Sequence, residues 1–259
     1  MATSAPAAAA TGATDREARF YFLLACAMAL VLVGGFSFHL AMGRSSFTAP
    51  AIIHFHAVLF MGWLGFYVLQ NYLVAGSEVA LHRRLGWVAV PWLVALIGVG
   101  VATTMNVVQA GRAPFFFLPQ HFLFADIAML LCFAGLTAAA LVLRRRTDWH
   151  RRLHLCAMAA LMGPGFGRAL PMPFMGPFNL EIASGLGLVF PLIAVAREAR
   201  GGRVHAAWAW GLPVIPLGLI AAYVLAHSAL GGDLYAATVA GTPGEAMPGL
   251  VHGPPPPGM

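Results

Sequence analysis

The sequence predicts an all-α integral membrane protein, a helical bundle of seven transmembrane helices, and three observations predict it. Of its 259 residues 60% are hydrophobic and only 9% are charged, where a soluble chain carries roughly a quarter charged residues. The apolar residues gather in seven runs, each near the roughly 20 residues that cross a bilayer. The 15 basic side chains, all of them arginine, fall mostly in alternate connections between those runs. With a mean hydropathy of +0.79, a soluble globular enzyme, a nucleic-acid module and a disulfide-stapled secreted domain are excluded. The lipid bilayer is the partner this composition demands.

Residues 1–14 are rich in Ala and Thr and have neither the basic start nor the apolar run of a signal peptide. Residues 1–19 therefore read as a disordered N-terminal tail. The apolar runs follow at Phe20–Met42, Ala51–Ala75, Leu85–Val108, Phe115–Leu143, Leu153–Leu170, Phe178–Ala196 and Ala206–Leu230. They make a transmembrane domain over residues 20–230, with core helices 2 to 5 at about residues 50–170. Pro164, between Gly163 and Gly165, predicts a kink in the fifth run just before Arg168. From Gly231 to Met259 the composition turns to Gly and Pro and reaches four consecutive prolines, Pro254 to Pro257. That segment, 231–259, reads as a second tail that buries nothing.

Twelve arginines lie before run 1 (Arg16, Arg19) and after run 2 (Arg83, Arg84), run 4 (Arg144, Arg145, Arg146, Arg151, Arg152) and run 6 (Arg197, Arg200, Arg203). The other side holds Arg44, Arg112 and Arg168. Positive loops stay in the cytoplasm, so the N-terminus is expected there, the C-terminus outside, and the protein in a bacterial inner membrane. In that setting a basic balance reports orientation, and no nucleic-acid partner is implied. Cys26, Cys132 and Cys156 all sit in apolar runs and read as small buried hydrophobes.

Ten histidines are the most informative feature of so weakly charged a chain. His39, His54, His56 and His121 lie toward the outside, and His82, His150 and His154 toward the cytoplasm. Imidazole suits haem iron, copper and zinc, and bundles build cofactor sites from histidines on separate helices. The same side chain is also at home at a membrane interface with no cofactor. Small residues follow several of them: Ala125, Ala128, Cys132 and Gly135 run along the face of His121, and Gly62 and Gly65 along that of His54. Such stripes make room for a flat macrocycle or let helices pack closely. His82-Arg83-Arg84-Leu85 and His150-Arg151-Arg152-Leu153 also form a short internal repeat.

With Leu81-His82-Arg83-Arg84-Leu85-Gly86 opening run 3, residues 50–170 resemble the di-haem transmembrane cytochromes b, ascorbate-linked electron carriers with one histidine on each of four core helices. The resemblance implies haem b at two sites: His54 or His56 with His121 near one face, and His82 with His154 near the other, His150 competing for the inner place. Arg83, Arg84, Arg151 and Arg152 would then meet the propionates. The chain is at least as similar to bacterial multi-span membrane proteins with H-x-H, L-H-R-R-L-G and H-R-R-L stretches, some resembling oxidase-assembly factors.

Three functions follow. The first is a membrane haem b protein that carries electrons within or across the bilayer. The second is a non-catalytic membrane subunit or assembly factor that contacts other membrane subunits. The third is a metal-dependent membrane enzyme holding copper, iron or zinc through His39, His54, His56 and His121. Asp126 is a further candidate because a carboxylate inside a span is expensive unless it has a role. Arg168 and Glu181 are expected to pair across a short loop and, with Asn106 and Gln109, to line a polar cavity open to the outside.

Overall fold

The structure is a computed structural model that describes residues 5–45 and 47–254, with side chains from Asp15 onward. Every regular element among them is helical. Helix α1 runs unbroken from Ala5 to Ala41. The tail expected to be disordered is therefore helical from Ala5, because alanine, the best helix former, extends a helix the apolar run has already nucleated. Residues 1–4 of that tail lie outside the described residues. Helix α2 (Ala51–Ala75) follows, then α3 (Val79–Leu85), which passes through a single 3₁₀ turn into α4 (Ala89–Gln109). Pro119 opens α5 (Pro119–Val142), where its missing N–H has no intrahelical partner to lose.

Next come α6 (Thr147–Ala160), α7 (Gly163–Ala169), α8 (Asn179–Gly185), α9 (Val189–Arg200), α10 (Ala207–Gly211), α11 (Val214–Ala226) and α12 (Ala229–Val239). Six stretches are long and apolar enough to cross a membrane: Asp15–Ala41, Ala51–Ala75, Val79–Gln109, Pro119–Val142, Asn179–Arg200 and Ala207–Ala226. The fifth predicted run is not one of them. Its helix stops at Ala160 and restarts at Gly163 with Pro164 in the first turn, so the expected kink is a full break. Its first half lies along α5 and its second along α1. Gly35 of α1 meets Gly165 of α7 so closely that a Cβ on Gly35 would stand 2.3 Å from the Gly165 carbonyl oxygen.

The core is dry and aromatic at mid-height, where Trp63, Trp92 and Phe133 pack edge to face. Large apolar side chains such as Leu30, Val58, Val94 and Val142 remain exposed on the outer faces of α1, α2, α4 and α5, the pattern of helices solvated by lipid. At the arginine-rich end, called the basic end below, Arg152 ties three helices together. It is 5% exposed and reaches Glu198 of α9 at 2.6 Å and Glu17 of α1 at 3.9 Å, while its Nη1 donates to the Asp148 carbonyl at 2.7 Å.

The C-terminal segment corrects the expectation of a tail that buries nothing. Ser228 caps α12 by accepting from the Gly231 N–H at 3.0 Å, and Tyr235 and Val239 are buried against α4 and α5. Beyond α12 the chain folds back: the Gln120 N–H donates to Gly249 O at 2.9 Å, and Tyr235 donates to Met247 O at 3.2 Å. Burial raises the Tyr235 pKa, which keeps that hydroxyl a donor. Gly244 lies tight against α4, since a Cβ there would stand 2.0 Å from Val108 O. Small residues thus let this segment press on helix ends that need partners for their last carbonyls. Residues 255–259, which include three of the four prolines, lie outside the described residues.

Candidate functional site

Three polar clusters interrupt the apolar bundle. The first lies in the half away from the basic end, on α1, α2, α4, α5 and α7. One level is set by Gly100 of α4, whose missing side chain leaves room for Leu130 of α5 and Phe60 of α2. One turn further from the basic end, each of these helices presents a polar group. On α4 it is Thr104, whose hydroxyl donates to the Asp126 carboxyl of α5 and lies 3.1 Å from Gly100 O. On α2 it is His56, stacked on Phe60 with ring centroids 4.2 Å apart.

Arg168 enters this level from α7. The break in the fifth run places it there, because a continuous helix would not turn Gly165 onto α1. Its guanidinium carbon sits 3.9 Å from the centre of the Phe36 ring, and Nη1 donates to Pro164 O at 3.0 Å. Asp126, His56 and His39 are all within electrostatic reach of that charge. Arg168 Nε, His56 Nδ1 and Thr103 Oγ1 are buried with no hydrogen-bond partner. Such unpaired buried atoms are uncommon, since buried polar groups are nearly always satisfied.

The second cluster lies beside it at the same end. His121, 5% exposed, has its Nε2 3.0 Å from Glu181 Oε1, and its ring meets those of Tyr223 and His227 edge on. Glu181 therefore stands against His121, and the pair expected between Arg168 and Glu181 does not form. His54 is not brought to His121 either: its Nε2 faces Phe47 O at 3.2 Å. His39 points to Ser45 at 3.0 Å. Among the described residues no three His, Cys, Asp or Glu side chains converge to hold one metal ion, so the set His39, His54, His56 and His121 is spread over separate places. Asn179 holds α8 in position by donating to Phe116 O at 2.7 Å, and Gln109, expected in the cavity, instead donates to Thr238 O at 3.0 Å.

The third cluster, at the basic end, gathers His82, His150 and His154. His150 contacts both others, with ring centroids 6.2 Å from His82 and 4.7 Å from His154, and its Nδ1 lies 2.8 Å from Ala140 O. The Gln70 amide, turned so that its nitrogen donates, meets His82 Nδ1 and His82 O. His150 thus packs against both of the histidines that the resemblance would pair on one haem. Arg151 and Arg152 are engaged by Glu17, Asp148 and Glu198, while Arg83 and Arg84 are exposed.

No family model, curated protein or solved structure matches this chain. The residues themselves must carry the reading. Sequence reasoning named His56, Asp126 and Arg168 but missed Phe36, Thr103 and Thr104. The two threonines carried a signal, as adjacent polar residues inside an apolar run. Phe36 carried none, because its role depends on which helix packs beside α1.

Proposed function

We propose that this is a seven-crossing membrane protein that binds a small anionic ligand, of carboxylate or phosphate class, at Arg168. The α6–α7 pair serves as the broken fifth crossing, the basic end faces the cytoplasm, and Arg168 lies toward the outside of a bacterial inner membrane. One observation carries the reading: Arg168, half-buried over the Phe36 ring, keeps its Nε buried with no hydrogen-bond partner, as are His56 Nδ1 of α2 and Thr103 Oγ1 of α4. An arginine at such depth is costly and marks a ligand pathway by default. An anion facing Nε would offset the charge, with His56 and Thr103 supplying hydrogen bonds that fix its orientation.

The test is calorimetric titration of the purified protein with acetate and with inorganic phosphate, run beside Arg168→Gln and Thr104→Val. Binding of either anion that is lost in Arg168→Gln and retained in Thr104→Val supports the reading. Absence of binding to both anions overturns it. So does a Soret band in the protein as purified that disappears on replacing His54 or His121, which would restore the electron-carrier reading.

A further inference from the structure

Between α5, α6, α10 and α11 an apolar groove of about 340 Å³ opens on the outer surface of the bundle. Its floor is a strip of small residues on α5, chiefly Gly135 and Ala139, and its sides include Leu131, Leu143, Trp149 and Trp210. Two features keep it open. A Cβ on Gly135 would meet nothing within 4 Å, so the floor is missing a side chain and not pressed against a neighbour. The wall formed by α10 and α11 is interrupted at Leu212–Pro213, so it does not close over the strip. The strip ends beside Leu131, where the floor and wall join: Cys132 Sγ faces Val214 O at 3.4 Å and Gly218 admits the sulfur.

The groove has the length of one leaflet. From Leu131 to Leu143 the helix rises about 18 Å, against a hydrocarbon half-thickness of about 15 Å. It ends at the basic end, beside Trp149, whose ring lies 5.5 Å from that of His205. Arg145 and Arg146 follow Leu143 after Arg144, and Arg203 stands two residues before His205. All three are exposed, and none makes a side-chain ion pair among the described residues. Nearby acids are already used: Asp148 faces Arg151 and Arg152, and Glu198 faces Arg152. An apolar slot one leaflet deep, with unpaired arginines and a 71% exposed Trp210 near its mouth, has the chemistry of a lipid with one negative headgroup.

We infer that this groove seats one acyl chain of an anionic phospholipid, with its phosphate paired to Arg145, Arg146 and Arg203. The inference is independent of the Arg168 site. It is tested on the full-length protein in detergent by native mass spectrometry and thermal unfolding with phosphatidylglycerol, phosphatidylcholine serving as the control. Phosphatidylglycerol is expected to bind and raise Tm, and phosphatidylcholine to do so far less. Replacing all three arginines by Gln should weaken phosphatidylglycerol binding about 100-fold, from roughly fivefold for each charge near the surface. Gly135→Leu starts its side chain from open space at the floor, so it should not lower the lipid-free Tm while weakening phosphatidylglycerol at least about tenfold. Equal binding of the two lipids overturns the inference. Unchanged phosphatidylglycerol binding in Gly135→Leu overturns it too, whatever the arginine variant does.

Discussion

Replacing Glu198 by Ala should loosen the basic end by about 3 kcal/mol. The carboxylate accepts from Arg152 Nε at 2.8 Å, from the His205 N–H at 3.0 Å and from the Trp208 indole N–H at 2.9 Å. Trp208 is 2% exposed, so its N–H cannot turn to water, and a buried unsatisfied donor costs about 1–3 kcal/mol. Removing one partner of a buried ion pair costs about 3–5 kcal/mol. Here the figure is discounted because the Glu198 side chain is 15% exposed and Asp148 remains 3.5 Å from Arg152. A total of about 3 kcal/mol corresponds to roughly 150-fold in the unfolding equilibrium. Glu198→Gln keeps an acceptor and should lose about half as much. The double variant Arg152→Met with Glu198→Leu should recover only the ion-pair part of the loss, since a buried pair and an apolar pair of similar volume are often equivalent, while the Trp208 N–H stays without its acceptor. Equilibrium unfolding in mixed micelles, followed by helical circular dichroism, measures all three. A loss below about 0.5 kcal/mol for Glu198→Ala, or a double variant as unstable as the single, would refute the argument that this carboxylate offsets a buried charge.

Gly244→Val should detach the C-terminal segment, because any side chain there collides with Val108 O; overpacking of about 1–3 kcal/mol is expected to appear as new protease cleavage between Ala226 and Ala240 while the rest of the bundle stays resistant. For the orientation, a cysteine placed at Val251 in a variant lacking Cys26, Cys132 and Cys156 should react with a membrane-impermeant thiol reagent on intact cells. Labelling only after permeabilisation reverses the proposed topology.

Much of the fold was legible in the sequence because lipid imposes a one-dimensional rule: a segment that crosses must be apolar over a fixed length and must satisfy its own backbone. Runs such as Ala51–Ala75 obey it, and α2 has those bounds. Tails are harder, because composition cannot say whether a Gly-rich stretch is free or is small in order to lie against something. Residues 231–254 are the second kind, with Gly244 and Gly249 pressed on α4 and α5. The N-terminal tail failed differently: alanine has no preference for water over helix, and the neighbouring apolar run decided for it.

Composition and periodicity by themselves determined a helical bundle, its apolar stretches and the concentration of arginine between alternate runs. They also picked out His56, Asp126 and Arg168 as polar residues that an apolar bundle must accommodate. Partnership was decided only by the tertiary structure. Helix periodicity says which residues share a face, but not which helix that face meets, and neither the resemblance that paired His54 or His56 with His121 nor the short loop that paired Arg168 with Glu181 supplies it. The break at Leu161–Met162 turns Arg168 toward Phe36, Glu181 stands against His121, and His150 packs against both His82 and His154. Each outcome depends on packing between segments far apart in the chain, where the fit of small residues such as Gly35 and Gly165 selects a neighbour from several that hydrophobicity alone would accept.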